Sequence, residues 1–189
     1  MSRKSVIVSI FGIILFLTFF FFPTGSKSLV PAQEVISLPQ ISSGLPLRLK
    51  IPQINVDAPM EHLGIAEDGT MDVPKGPLEV AWFNLGPRPG EVGSAVMAGH
   101  SGYKDRREAV FDNLYKLKKG DKIYVEDANR VMMTFVVREI RSYSPKADAR
   151  EVFTSSDGLK HLNLITCTGI WNEQAQTRSE RLVVFTDKE

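Results

Sequence analysis

Residues 162–186 read LNLITCTGIWNEQAQTRSERLVVFT. The runs LNLITC (162–167) and LVVFT (182–186) are rich in apolar and β-branched residues, which pack well on a pleated surface, and they predict two strands. Between them TGIWNEQAQTRSE (168–180) is polar and reads as a long loop. Cys167, the one cysteine of the chain, closes the first run, and Arg181 opens the second strand directly after the loop. Similar runs recur upstream: LRLKIP (47–52), VDAPM (56–60), SAVMAG (94–99), KIYVE (122–126) and VMMTFVVREIRSY (131–143), each set off by turn-forming residues. Short strands at such intervals in about 145 residues predict an all-β barrel or sandwich. Helix is expected only in the connections. Ala109, Phe111, Leu114 and Leu117 are spaced like one or two helical turns before KKGD stops them, and a second short helix is expected near Ser155.

The rest of the chain places this domain. Residues 1–5 form a basic head, and 6–22, VIVSIFGIILFLTFFFF, are an uncharged apolar run of 17 residues, at the short end of what crosses a bilayer as a helix. The run passes into PTGSKS with no A-x-A-like site, so it reads as an uncleaved signal anchor. The basic head then stays in the cytoplasm and everything after Pro23 lies outside. Residues 23–44 are rich in Ser, Pro and Gly and read as a flexible extracellular tether, leaving 45–189 as the folded domain. The net charge is +1, and Arg3, Lys4 and Lys27 precede the first acid, Glu34, so the remainder carries 1 − 3 = −2. Nothing in that balance points to a nucleic-acid partner, and none is expected. A single cysteine forms no intramolecular disulfide, so an exported protein must tolerate or use this thiol.

Three side chains stand where strands give way to loops. Cys167 ends LNLITC, His100 follows SAVMAG between Gly99 and Gly102, and Arg181 begins RLVVFT. Taken singly, they read as a small buried hydrophobe, a loop histidine and a solvated edge charge. Taken together, at one rim of a closed sheet, they are the set that acyl transfer through sulfur needs. A thiolate attacks a carbonyl, an imidazolium protonates the departing amine, and a guanidinium steadies the oxyanion. The ordinary titration points of the two ionising groups lie near ~8.5 and ~6.5, which leaves on the order of 1 molecule in 100 in the thiolate–imidazolium form and predicts a bell-shaped pH profile. His62, in the polar stretch EHLGIAEDG, and His161, on the strand of Cys167, are weaker candidates. Glu67, Asp68 and Asp72 do not make a calcium loop.

LITC followed by RLVVFT, with AVMAGH upstream, resembles the sortases, the membrane-anchored cysteine transpeptidases of bacteria. The resemblance extends over LRLKIPQINVDAPME (47–61), GTMDVPKGP (69–77), AWFNLGPRPGEVGSAVMAGH (81–100) and AVFDNLYKLKKGDKIYVED (109–127), and it is greatest to the minimal class F type. The family's T-L-x-T-C falls on Asn163 to Cys167, with asparagine in place of the first threonine. The resemblance implies a closed eight-stranded β-barrel with short helices in the connections. It makes Cys167 the nucleophile, His100 the general acid and base, and Arg181, rather than Arg178, the residue that stabilises substrate and oxyanion. Thr166 is the candidate substrate contact. Arg178 and Arg181, three apart on a strand, point to opposite faces.

The implied substrate is a secreted protein with a C-terminal sorting signal similar to Leu-Pro-x-Thr-Gly, cut between Thr and Gly and passed to an amine of a peptidoglycan precursor or a pilin lysine. No metal or organic cofactor is implied. A cysteine hydrolase using the same triad, and a surface binding domain with a packed Cys167, remain open on the residues alone.

Overall fold

The computed structural model describes residues 43–102, 108–174 and 177–189. The expected head, membrane anchor and nearly all of the tether lie outside the described residues. Among the described residues no helix is long and apolar enough to cross a membrane.

The strands are β1 (Pro46–Ile51), β2 (Val56–Leu63), β3 (Val80–Phe83), β4 (Gly93–Gly99), β5 (Lys122–Asp127), β6 (Met132–Tyr143), β7 (Lys160–Asn172) and β8 (Thr177–Lys188). They pair in the order β1-β2-β3-β4-β7-β8-β6-β5, and β5 pairs again with β1, which closes the barrel. Closure gives every strand two neighbours and leaves no open edge. The β2–β3 and β4–β7 pairs are parallel and the others antiparallel. Two antiparallel pairings, β6 with β8 and β8 with β7, make β6 and β7 run the same way. Their connection must therefore travel from one end of the barrel to the other. It carries one turn of helix, α1 (Arg150–Phe153), along the outside.

Alternation sorts the side chains into two layers. Leu162 and Leu164 of β7, Leu182 and Val184 of β8, and Ala95 and Met97 of β4 join the interior core. The opposite parity of β7 and β8 supplies Ile165, Val183 and Phe185 to a smaller outer cluster, which α1 covers with Val152 and Phe153. β4 is covered on both sides, so SAVMAG is apolar without a break.

The structure departs from the sequence expectations at four places. β3, VAWF, was not expected. It is four residues long and its first three are buried, so it shows no alternation. The polar stretch 168–180 is mostly strand: β7 and β8 continue as an antiparallel hairpin in which Trp171 pairs with Arg178 and Asn172 with Thr177. Backbone pairing carries the ladder beyond the point where apolar side chains stop. Cys167 and Arg181 are thus inside strands rather than at their ends. The helix expected over 109–117 is reduced to turns and a 3-10 turn at Leu114–Lys116. Here Asp112 accepts from the Ala109 N–H at 2.9 Å and ties the segment locally. The helix expected near Ser155 lies upstream, as α1. Asp148 accepts from the Arg150 N–H at 3.1 Å, whereas the Ser155 hydroxyl donates to Asp157 at 2.7 Å and holds a loop.

Candidate active site

Cys167 and Arg181 are direct partners across the β7–β8 ladder. Opposed residues of an antiparallel pair present their side chains on the same face, with Cβ atoms about 4.5–5.5 Å apart. That face is the outer one, because alternation along β7 puts Cys167 with Asn163 and Ile165, and along β8 puts Arg181 with Val183 and Phe185. On the other flank, β4 runs parallel to β7 with Ala98 beside Ile165. Two residues further along each chain come His100 and Cys167. His100, one residue past the end of β4, Cys167 in β7 and Arg181 in β8 therefore stand at about one level, with Cys167 in the middle and strands about 4.8 Å apart. All three are half-buried.

Short contacts fix this level. The Thr166 hydroxyl donates to the Gly99 carbonyl at 2.8 Å, and the Ser101 hydroxyl donates to the Cys167 carbonyl. Each bond joins a neighbour of the histidine to the cysteine segment. His100 Nε2 donates to the Pro74 carbonyl at 2.7 Å; a carbonyl only accepts, so in the neutral ring Nδ1 is the basic nitrogen. The Phe111 N–H donates to the His100 carbonyl at 2.9 Å, and Asp112 accepts from the Gly102 N–H at 2.6 Å, which anchors the chain just after His100. Gly99 is required here, since a Cβ would come within 2.6 Å of Val110 and 2.7 Å of Phe111. Sequence reasoning missed Ser101 and Asp112. A lone serine and a loop aspartate carry no spacing signal, and their partners are backbone atoms distant in sequence.

The two arginines diverge. Arg181 Nη1 donates to the carbonyls of Arg178 and Glu180, each at 3.0 Å, and Nη2 to the Thr177 hydroxyl at 2.9 Å. A guanidinium carries five N–H donors, and these contacts use three. Arg178 lies on the opposite side of β8, with Leu182, and donates to the Gly169 carbonyl at 2.9 Å. Gly169, at φ 81°, forms a bulge in β7 just past the cysteine, a left-handed conformation in which a β-carbon would be strained. A cavity of about 270 Å³ opens at the barrel mouth beside this bulge, lined by Gly102, Asp112, Tyr115, Thr166, Cys167 and Arg178 among others. Thr166 reaches it from the inner face.

The remaining histidines are engaged elsewhere. His62 lies in β2, where Nε2 donates to the Pro46 carbonyl at 2.7 Å and the ring meets Trp82 edge-on at 5.3 Å. β2 takes up Glu61, His62 and Leu63 from the start of the polar stretch, where it pairs with β3, the strand that was not expected. His161, 3 % exposed, sits between two carboxylates, with Nδ1 2.8 Å from Asp187 and Nε2 2.9 Å from Asp157. The Ser155 hydroxyl, the Leu159 N–H and His161 together hold the Asp157 carboxyl down at about 2. Of the acids considered for calcium, Asp68 accepts from the Thr70 N–H at 2.9 Å and Asp72 from the Val73 N–H at 2.8 Å.

The sequence model of the sortase domain matches residues 49–189. No curated protein sequence matches the chain. Among solved structures, sortase C-1 from Actinomyces oris is 27% identical, with a TM-score of 0.58 over 75% of this chain and 72% of that one. A lid mutant of sortase C1 from Streptococcus agalactiae is 26% identical, with a TM-score of 0.58 over 76% of this chain and 68% of that one. A lid mutant of sortase A from Corynebacterium diphtheriae, 22% identical with a TM-score of 0.60 over 79% of this chain and 73% of that one, shares the fold.

Proposed function

The chain belongs to the sortase family of cysteine transpeptidases, and from that premise we propose that Cys167 cleaves a sorting signal similar to Leu-Pro-x-Thr-Gly between Thr and Gly and passes the acyl group to an amine. The observation that supports this reading is that Cys167 pairs with Arg181 across β7 and β8, while His100 follows the end of β4, two residues beyond the Ala98–Ile165 pair of β4 and β7. The Cys167 thiolate adds to the threonine carbonyl, and the negative charge moves to the carbonyl oxygen, where Arg181 donates. As the C–N bond breaks, protonated His100 gives its proton to the glycine nitrogen, leaving a thioester and a neutral imidazole. The incoming amine loses a proton to His100 as it attacks the thioester, the C–S bond breaks, and thiolate and imidazolium are restored. Thr166, which lines the cavity beside the sulfur, contributes a substrate contact.

The product is an amide that links a secreted protein to a peptidoglycan precursor or to a pilin lysine. The apolar run 6–22 anchors the enzyme in the cell membrane with its head in the cytoplasm, and the domain works outside. The minimal class F resemblance belongs to this reading as well.

The test is cleavage of quenched Leu-Pro-x-Thr-Gly peptides by the full chain, with and without triglycine, beside Cys167→Ala. Cleavage that needs Cys167 and gives a ligated product when triglycine is present supports the reading. Cysteine-dependent cleavage that never yields ligation makes the enzyme a hydrolase. Cleavage that survives Cys167→Ala removes the cysteine mechanism.

A further inference from the structure

We propose that the end of the barrel opposite Cys167 is a docking surface for an anionic lipid bilayer, which keeps the catalytic end turned away from the membrane. This rests on the membrane-anchored reading above and adds a surface that the reading does not use. β1, β4, β6 and β7 begin at this end, and β2, β3, β5 and β8 finish there. Cys167 stands seven residues further along β7 than Lys160, about 23 Å at the rise of an extended strand.

Apolar side chains gather at this end. Leu45, Leu85, Val92, Val131, Met132 and Leu159 are each between 43 % and 66 % exposed. One exposed apolar side chain needs no partner, but these belong to segments tied into a single surface. The Ala128 N–H donates to the Leu45 carbonyl and the Gly93 N–H to the Leu159 carbonyl, each at 2.8 Å. The loop 84–92 runs between these segments. Its Arg88 Nη1 donates to the Ser43 carbonyl at 3.0 Å, and a Cβ on its Gly90 would lie 2.7 Å from Met133 Sδ and 3.8 Å from Lys188 Cε. A cavity of about 460 Å³, lined by Leu45, Trp82, Leu85 and Arg88 among others, opens beside the loop.

The charges and the chain path name the occupant. Lys160 precedes Leu162 and Leu164 on one side of β7, and Lys188 follows Val184 and Thr186 on the same side of β8, so alternation aims both toward the open end of the interior. Neither lysine makes an ion pair among the described residues. The acids nearby are engaged: Glu189 accepts from Lys122 at 2.7 Å, Asp187 lies 2.8 Å from His161, and Glu91 accepts from the Arg88 N–H at 2.9 Å. Apolar side chains ringed by unpaired lysines suit the boundary of an anionic bilayer, where the first enter the acyl region and the second meet phosphate. A second copy docked by two-fold symmetry would set the same lysines against each other. The chain enters the domain here, and residues 23–42, which join this end to the apolar run 6–22, reach at most about 70 Å. Contact within one anchored molecule needs little affinity of its own.

The experiment uses the full-length chain with Trp171→Phe, which leaves Trp82, beside the loop 84–92, as its one tryptophan. The protein is reconstituted in vesicles of phosphatidylglycerol or of phosphatidylcholine with brominated acyl chains, which quench a nearby indole. We expect stronger quenching in phosphatidylglycerol, with the excess lost in Lys160→Gln with Lys188→Gln and reduced in Leu85→Ser with Val92→Ser. Each lysine at an anionic surface favours attachment about fivefold, so removing both should lower the docked-to-free ratio roughly 25-fold. Amide exchange of 84–92 in the unsubstituted chain makes the same comparison without any variant and should be slower in phosphatidylglycerol. An alkaline wash tests the anchor by itself: release from the vesicles overturns the anchored reading and this proposal with it. In a chain that is retained, equal quenching in the two lipids, or quenching that ignores the lysine substitutions, overturns the docking alone. Slower alkylation of Cys167 by a water-soluble reagent in phosphatidylglycerol puts the catalytic end on the bilayer and overturns the orientation. Protection of 84–92 in detergent that grows with protein concentration gives the face to a second copy and overturns the bilayer.

Discussion

Thr166→Val replaces a hydroxyl by a methyl of nearly the same shape at a buried position between the nucleophile's strand and the histidine's strand. The hydroxyl donates to the Gly99 carbonyl at 2.8 Å, and Thr166 is 4 % exposed. Losing one partner of such a bond costs about 1–2 kcal/mol, within the range for a buried acceptor left without its donor. In a domain of this size, that lowers Tm by roughly 3–6 °C. The catalytic effect should be larger than the stability effect suggests. Gly99 precedes His100 and Thr166 precedes Cys167, so in the proposed mechanism the bond sets the spacing of imidazolium and thiolate. Misplacement by about 1 Å can cost up to 100-fold, and we expect kcat to fall about tenfold or more, beside any rise in KM from the substrate contact. Calorimetry gives the stability, and quenched-peptide kinetics separate kcat from KM. Alkylation of Cys167 by a small thiol reagent controls for the exposure of sulfur. A variant with wild-type kcat and Tm would refute the reasoning. A rise in KM with kcat unchanged would leave Thr166 its substrate contact and remove the spacing role.

Arg181→Lys should reduce kcat/KM by roughly 100-fold or more, the scale of a lost oxyanion donor, whereas Arg178→Lys on the opposite side of β8 should cost less than about tenfold; the reverse order in the peptide assay would exchange their roles. Leu164→Ala empties a fully buried position between Met97 and Val184 and should destabilise the domain by about 3–5 kcal/mol, read as the denaturation midpoint; a loss under about 1 kcal/mol would contradict the packing. Asp157 is held at about 2, below the ordinary carboxylate range, so its contribution is present above about pH 4 and is lost as pH falls toward 2. Asp157→Asn should therefore lower stability at pH 6 and flatten the acid limb between about pH 4 and 2, measured by urea midpoints at each pH; an unaltered acid limb would count against this.

The all-β class was legible because β-branched runs and turn residues report local backbone preference, and seven of the eight strands carry such a run. β3 escaped because a short strand with its first three residues buried has no polar face to alternate with. The hairpin beyond Cys167 escaped because its ladder is backbone pairing under polar side chains. At the site, Cys167, His100 and Arg181 stood out by chemical type and position in the chain, and the family membership rests on motifs that are themselves sequence. Ser101 and Asp112 did not stand out, because each bonds a backbone atom contributed by another segment.

By itself, then, the sequence determined which residue types are available for chemistry and which segments prefer extended backbone. These follow from side-chain identity and from interactions over a few residues. Tertiary structure alone decided that β4 lies parallel to β7 with Ala98 beside Ile165, that Cys167 faces Arg181, and that α1 crosses the outer face. Register between strands distant in the chain is set by closure of the barrel and by which face is buried. A shift of one residue would turn every side chain of a strand to the other face, and no local signal records that choice.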